Sequence, residues 1–337
     1  NGEEARIPGT LKSVKAIGWF IEEFGVAQIS MNLTNISITS AHVAFDEVCT
    51  KAQERAIRVT GSELVGLIPL NAMLDAGRYF LRKQNRSIGI SDKEIIKIAV
   101  KSMGLDELYE FKPEEKIIEY VLEKSMTTSK KLVDYTLTEF MDETASESPA
   151  PGGGSISAYM GAMGVALASM VANLSSHKRG WDDRWEEFSE WAVKGKYYQE
   201  TLNNLVDEDT NAFNKIMDAF GLPKDSDAEK TARKQAIQDA TKYAIEVPFK
   251  VMTVAYESMV VIKAMAEFGN PNSVTDAGVG ALGVRSCVLG AFLNVKINTG
   301  SLHDKDFVND ILAKGEKLVA DTNNLEVEIM KIVHSKM

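Results

Sequence analysis

The stretch Ser148-Pro-Ala-Pro-Gly-Gly-Gly-Ser155 separates two predicted helices, one at about 127–145 and one of mostly small residues at 155–176. Its prolines fix φ and remove backbone donors, and its three consecutive glycines allow backbone conformations that other residues avoid. The stretch then opens a helix, whose first N–H groups are unpaired and carry partial positive charge. Such a turn can bring bare N–H groups against an anionic or carbonyl-bearing ligand. A plain linker has a similar composition, so the loop alone leaves ligand binding and simple linkage equally open.

Composition excludes several classes of function. The chain has 337 residues, 45% hydrophobic and 26% charged, which is typical of a soluble protein large enough for two domains. Its net charge of −10 argues against nucleic acid as the principal partner. The four histidines and two cysteines show no metal-ligand spacing, so we expect no metal site. Because Cys49 and Cys287 give no disulfide framework, we expect a cytoplasmic protein. The most apolar stretches, 156–174 and 279–297, are interrupted by polar or small residues and predict core helices rather than membrane spans.

The first third of the chain mixes strand and helix periods. Alternating segments at 14–20 and 27–33 predict an antiparallel hairpin. Further elements are predicted as a helix at 40–56, a strand at 62–69, and helices at 71–83 and 92–103. This order predicts an α+β lobe over residues 1–110, with helices on one face of an antiparallel sheet, followed by a linker at 111–126.

The second predicted strand carries an uncharged polar face. That face consists of Gln28, Ser30 and Asn32. Solvated strand faces more often carry lysine and glutamate, so amides and hydroxyls favour a cleft over a solvent-facing surface. We therefore predict that these three residues line a cleft.

Residues 127–337 show no convincing strand pattern and predict an all-α helical bundle. The predicted helices span 127–145, 155–176, 181–220, 226–269, 273–299 and 304–335. In the helix at 181–220, Asp209 falls on the apolar stripe, four residues from both Leu205 and Phe213. A buried carboxylate costs several kcal/mol unless it is paired, hydrogen-bonded or protonated. A structural ion pair and a functional carboxylate both remain open for Asp209.

Three further polar positions stand out in the bundle. Asp207 lies on a polar, nearly uncharged face, where solvent exposure is the alternative to a functional role. Asp276 and Asn294 share a face of small residues on the helix at 273–299, and Asn173 ends a similar face on the helix at 155–176. The alternative for Asp276 is an acid favoured by the helix dipole, with the small residues serving tight packing. Together, these faces and the glycine loop favour a bundle that encloses a polar site.

Several motifs now carry a family resemblance. Residues 128–337 resemble the cyclodeaminase domain of formiminotransferase-cyclodeaminases, and they are also similar to the helical methenyltetrahydrofolate cyclohydrolases. The motifs that carry this resemblance are Pro151-Gly-Gly-Gly-Ser155, Met170-Val-Ala-Asn173, Val206-Asp-Glu-Asp209, Gly269-Asn270 and Phe292-Leu-Asn294. The first part resembles the C-terminal lobe of the formiminotransferase domain, through Gly61-Ser-Glu-Leu-Val-Gly-Leu-Ile-Pro-Leu70 and Phe111-Lys-Pro-Glu-Glu. The chain begins Asn1-Gly2 without methionine, and we expect a piece of a longer polypeptide. The resemblance implies that transfer of the formimino group needs a further N-terminal lobe.

The resemblance also implies a substrate and residue roles. The substrate would be 5-formiminotetrahydrofolate with a glutamyl tail, converted to 5,10-methenyltetrahydrofolate and ammonia. Asp209 would be the principal acid–base residue, with Asp276 as cation stabiliser or second acid and Asp207 as a further candidate. Folate-binding candidates in the loop are Gly152, Gly153, Gly154 and Ser155. Candidates for the pterin edge are Asn173, Asn270 and Asn294, and those for the glutamyl tail are Lys178, Arg179 and Arg285.

Two alternatives to the deaminase remain. One is a methenyltetrahydrofolate cyclohydrolase, which opens the same ring with water in the same kind of bundle. The other is a non-catalytic folate-binding or scaffold module. Faces rich in small residues, such as Gly161, Gly164 and Gly283, also predict a homo-oligomer, at least a dimer, whose subunits share each site.

Overall fold

The computed structural model describes residues 9–126 and 130–337. Within this part the chain forms two compact units. The first contains residues 9–84 and 91–126, and the second contains residues 85–90 and 130–337. A short segment of the first third of the chain therefore belongs to the second unit.

The first unit begins with a two-stranded antiparallel sheet, β1 (Val14–Ile21) and β2 (Val26–Leu33). Its helices are α1 (Ala41–Gln53), α2 (Leu70–Lys83), α3 (Asp92–Met103), α4 (Pro113–Lys116) and α5 (Ile118–Met126). The predicted hairpin and the helices α1 to α3 are confirmed. Residues 111–126, assigned above to a linker, contain α4 and α5 and group with this unit.

The strand predicted at 62–69 is wrong. The segment makes one isolated parallel bridge, between Ile68 and Ile117, and otherwise has no ladder. Gly66 adopts a left-handed conformation with φ of 86°, which breaks the extended run. Pro69, which follows the bridge, has no N–H to donate to a ladder. Apolar alternation alone did not reveal these interruptions.

The second unit is a helical bundle, as predicted. Its helices are α6 (Leu137–Thr144), α7 (Gly153–Ser176), α8 (Trp185–Gly221), α9 (Asp227–Phe268), α10 (Val274–Thr299) and α11 (Lys305–Lys336). The helix predicted at 127–145 is reduced to α6 and a 3-10 turn at Leu132–Asp134, and residues 127–129 lie outside the described part. Helix α9 packs against α7, α8, α10 and α11, which makes it the centre of the bundle.

Helices α7 and α10 run antiparallel and approach very closely at their glycines. A Cβ atom on Gly164 would lie 2.7 Å from the carbonyl oxygen of Gly280. Further along the same pair, a Cβ on Gly161 would lie 2.7 Å from Cys287 Sγ, and one on Gly290 would lie 2.4 Å from Ser157 Oγ. The small-residue faces therefore contact each other within one chain. Their prediction as the surfaces that meet another subunit is wrong, because they are already used here.

Helix α7 and residues Pro271–Thr299 are long and apolar enough to cross a membrane by length and composition alone. In this structure 61% and 50% of their most apolar windows are buried inside the bundle. This burial is typical of the core helices of a bundle, which can be as long and as apolar as membrane spans.

We expect Gly164→Ala to lower the free energy of unfolding by roughly 1–3 kcal/mol, because the new methyl group would meet the backbone oxygen of Gly280. Gly221→Ala, at the end of α8, is the matched control, because no atom lies within 4 Å of its Cβ position. The control should be neutral or slightly stabilising, since alanine favours a helix over glycine. Chemical denaturation measures both changes, and equal stability of the two variants would contradict the close crossing.

Candidate active site

The carboxylate of Asp209, on α8, lies at the N-terminus of α7. The N-cap residue of α7 is Gly152, whose missing side chain leaves the first N–H groups without a local cap. The backbone N–H of Ser155 donates to Asp209 Oδ2 at 2.8 Å. The Ser155 hydroxyl lies 3.1 Å from the same oxygen and 2.9 Å from the carbonyl oxygen of Val206. Asp209 thus supplies from another helix the acceptor that a capping side chain would give.

The glycine run makes room for this carboxylate. A Cβ atom on Gly154 would lie 2.1 Å from Asp209 Oδ1, far inside van der Waals contact. A Cβ on Gly153 would lie 3.2 Å from Asn294 Nδ2, so this amide flanks the loop from α10. Nothing lies within 4 Å of the Cβ position of Gly152. The structure therefore gathers the glycine loop, Asp209 and Asn294 at one end of the bundle.

Burial dominates the electrostatics of Asp209. Desolvation raises the pKa of its carboxyl group, and the two hydrogen bonds from Ser155 act in the opposite direction. The partial positive charge at the start of α7 also favours the ionised form. No cationic side chain is among the causes of the shift. Of the two possibilities for Asp209, the structure therefore favours a carboxylate held by hydrogen bonds over a structural ion pair. Such an environment suits a group that gains and loses a proton.

The two acids before Asp209 hold other elements. Asp207 Oδ1 accepts the backbone N–H of Leu132 at 2.7 Å, which ties the 3-10 turn before α6 to α8. Glu208 accepts a hydrogen bond from the Tyr243 hydroxyl on α9, and this raises the pKa of Tyr243 to about 12. Asp207 therefore has a tethering partner. Glu208 is not among the candidates predicted from the sequence, where its place between two aspartates is its only distinguishing feature.

Asp276 lies far from Asp209 within one chain. It lies one turn before Gly280, which meets Gly164 at the helix crossing, whereas Ser155 lies nine residues before Gly164. At 1.5 Å per residue, this places Asp276 roughly 20 Å along the bundle from Asp209. Antiparallel packing puts the start of α10 beside the end of α7, so the two carboxylates lie apart within one chain.

Three other candidates also lie at the Asp276 end. Asn173 Nδ2 donates to the carbonyl oxygen of Gly89 at 2.9 Å. Asn270 donates its backbone N–H to Ser175 Oγ at 2.7 Å. The Lys178 ammonium lies 3.9 Å from the centre of the Trp181 ring. None of these contacts involves the glycine loop, so these candidates do not join Asp209 within one chain.

The remaining candidates lie elsewhere. Arg285 Nε donates to Asn323 Oδ1 at 2.7 Å and lies 3.8 Å from a carboxylate oxygen of Glu326, both on α11. Arg179 is exposed just beyond α7. In the first unit, Gln28, Ser30 and Asn32 lie opposite Trp19, Ile17 and Lys15 in the hairpin. Their proposed cleft stays a prediction. Within the described residues, no three His, Cys, Asp or Glu side chains gather as a possible metal site.

Comparison with known proteins follows the same division. The family model described as "Formiminotransferase-cyclodeaminase" matches residues 136–317, and the "Formiminotransferase domain" model matches residues 1–123. The formimidoyltransferase-cyclodeaminase of Sus scrofa is 36% identical over 300 residues, which are 89% of this chain and 55% of that protein. The methenyltetrahydrofolate cyclohydrolase of Methylorubrum extorquens is 38% identical over 202 residues, 60% of this chain and 97% of that protein. The crystal structure of formiminotetrahydrofolate cyclodeaminase from Thermotoga maritima superposes with a TM-score of 0.53 at 31% identity, covering 60% of this chain and 96% of its own.

These observations define a helical-bundle protein with a partly buried carboxylate at the start of a helix that begins with glycines, joined to a small α+β unit. The chain belongs to the formiminotransferase-cyclodeaminase family. It spans about 55% of the length of the pig and mouse relatives that it matches.

We expect the Asp209 carboxyl group to titrate above the ordinary value of 3.8, because burial outweighs the hydrogen bonds from Ser155. The titration can be followed by carbon NMR of labelled aspartate, with Asp209→Asn identifying the resonance. Ser155→Ala should raise this pKa further, since it removes one bond to the ionised form. A titration midpoint at or below 3.8 would show that the helix dipole and the hydrogen bonds from Ser155 lower the pKa more than desolvation raises it.

Proposed function

We propose that this chain converts 5-formiminotetrahydrofolate to 5,10-methenyltetrahydrofolate with release of ammonia. The observation that carries the proposal is the partly buried Asp209 carboxylate, held by Ser155 beside the glycine loop. It lies in a bundle that matches formiminotetrahydrofolate cyclodeaminase over 96% of that protein's chain. Transfer of the formimino group from formiminoglutamate would belong to the longer polypeptide that the family relatives represent.

The reaction needs a group that accepts a proton from N10 of the folate and gives a proton to the nitrogen that leaves as ammonia. N10 of the folate attacks the formimino carbon, a C–N bond closes the five-membered ring, and N10 loses its proton. The amine of the tetrahedral adduct gains a proton, its C–N bond breaks, and ammonia leaves the methenyl cation. A carboxyl group such as Asp209 can accept the first proton and give the second, which typically contributes ~10²–10⁴-fold. In its ionised form it also stabilises the cationic product.

A methenyltetrahydrofolate cyclohydrolase is the second candidate, and a specific observation favours it. The Methylorubrum extorquens protein of that name aligns over 97% of its length with the bundle. The formiminotransferase domain in the first part of this chain favours the deaminase, because the group that such a domain transfers is the one the deaminase consumes. A non-catalytic folate-binding module would have little need for a carboxylate whose pKa burial raises.

Asp209→Asn should lower turnover of supplied 5-formiminotetrahydrofolate by roughly two orders of magnitude, because the amide cannot carry the proton. Methenyl formation, followed by absorbance, and released ammonia measure it. Asparagine keeps an oxygen for the Ser155 N–H, so the helical circular dichroism should not change. Asp218→Asn, an exposed carboxylate on the same helix, is the control and should retain full turnover. Near wild-type turnover in Asp209→Asn would limit Asp209 to capping α7.

We also propose that the bundle pairs with a second copy through the outer faces of α7 and α10. Both helices pack on α9, so their solvent-facing sides lie on the same side of the bundle. These sides expose large apolar side chains: Met163, Met170, Leu174, Val279, Leu282, Leu293 and Ile297. An exposed apolar surface of this extent is typical of an interaction site.

Two-fold pairing about the crossing would also complete the site. The crossing of Gly164 with Gly280 lies in the middle part of α7. The proposed two-fold axis lies in the plane between the two faces and perpendicular to the helices, so that the rotation exchanges the two ends of each helix. It would place Asp276, Asn270 and Lys178 of the second copy near the glycine loop of the first. Both carboxylates, and cations for the folate tail, would then serve one site.

Leu282→Glu should separate the pair and abolish most turnover, since it places a charge in the apolar face. Val327→Glu, on the exposed side of α11, is the control because Val327 is similarly exposed, at 49% against 43%. Light scattering reports the assembly.

Mixing inactive Asp209→Asn with inactive Asp276→Asn after mild dissociation should restore up to about a quarter of the activity, because half the chains pair as heterodimers and each has one intact site. A fully active monomer, full turnover in Asp276→Asn, or no recovery on mixing would contradict the shared site.

A further inference from the structure

The connection between α2 and α3, residues 85–90, belongs to the second unit and is unusually buried for a loop. Ser87 is 1% exposed and Gly89 is buried, whereas the neighbouring Arg86 is exposed. Loops usually stay on the surface because their backbone groups need water. A buried loop must therefore find other partners for its N–H and C=O groups.

Side chains supply these partners. The N–H of Ile88 donates to Ser189 Oγ on α8 at 3.0 Å. Asn173 Nδ2, on α7, donates to the carbonyl oxygen of Gly89 at 2.9 Å. The N–H of Gly89 donates to Ser87 Oγ at 3.2 Å. The two helices thus recognise the backbone of this segment, as peptide-binding grooves recognise an extended ligand.

The groove has no room for a side chain at position 89. A Cβ atom there would lie 2.4 Å from the carbonyl carbon of Ala192 and 2.5 Å from the nitrogen of Val193. Both are backbone atoms of α8, which cannot move aside as a flexible side chain would. The Asn173 amide contacts this segment through its Nδ2, while its buried Oδ1 makes no hydrogen bond to any residue that the structure describes. Shape and hydrogen bonding therefore select glycine at this position.

We propose that Asn173, Ser189 and Ala192 form a docking groove for an extended peptide segment, and that residues 85–90 of the same chain are its occupant. In this role Asn173 binds the chain's own backbone and not the folate. The groove fastens a connection of the first third of the chain to the bundle, independently of the catalytic proposal.

Trypsin cleavage after Arg86 tests the docking in the full chain, without substrate. A protease must lift several residues on both sides of the bond, so cleavage reports release of the segment. Asn173→Ala should speed cleavage between Arg86 and Ser87, measured by mass spectrometry, on the order of ten-fold. Gly89→Ala should speed it more, because the groove cannot accept the methyl group.

Asn298→Ala is the matched control, because Asn298 Nδ2 donates to a backbone carbonyl, that of Ala244, elsewhere in the bundle at 2.8 Å. It should leave cleavage after Arg86 at the wild-type rate while loosening the bundle by a similar amount. Equal acceleration in all three variants, or wild-type cleavage in Asn173→Ala, would overturn the proposal. If Gly89→Ala does not fold, Ser189→Ala replaces it, since it removes the bond to Ile88 without a steric clash.

Discussion

A partly buried carboxylate at the start of α7 is the constraint on which this part of the bundle depends. Asp209 leaves water at a cost of several kcal/mol unless donors replace the lost hydration. The first turn of α7 has such donors free, because Gly152 gives no cap of its own. Gly154 must lack a side chain so that Asp209 Oδ1 can approach, and Ser155 must offer both its N–H and its hydroxyl. The glycines of the loop are therefore needed for the approach of the Asp209 carboxylate, whether or not they also contact a ligand.

The three consecutive acids on α8 have different roles, two of them structural and one suited to chemistry. Successive side chains on a helix point about 100° apart. Asp207, Glu208 and Asp209 therefore reach the turn before α6, helix α9 and helix α7. The hydrogen bonds of Asp207 and Glu208 fix the turn before α6 and helix α9 against α8. Burial raises the pKa of the Asp209 carboxyl group, which makes it the group suited to proton transfer.

Helical periodicity predicted the long helices of the bundle well, because their faces are set by residues three and four apart. It also predicted that Asp209 leaves solvent. It could not predict which ends of the helices meet, because a face pattern carries no direction. The separation of Asp276 from Asp209 along the bundle could therefore not be derived from the face patterns of their helices. The role of Asn173 was equally inaccessible, since its partner Gly89 lies 84 residues away in the sequence.

The glycines of α7 and α10 serve contact within the chain, and this decides what the outer face can do. Since Gly164 and Gly280 bring the two backbones together, the bulky residues of both helices must point elsewhere. Residues such as Met163 and Leu282 remain exposed on the side away from α9. The polar candidates lie at opposite ends of this apolar face, with the glycine loop at one end and Asp276 at the other. The proposed two-fold pair would cover this apolar face and bring the glycine loop of one copy to the Asp276 end of the other. Because the glycine loop and Asp276 lie at opposite ends within one chain, the proposed shared site depends on a second copy to bring them together.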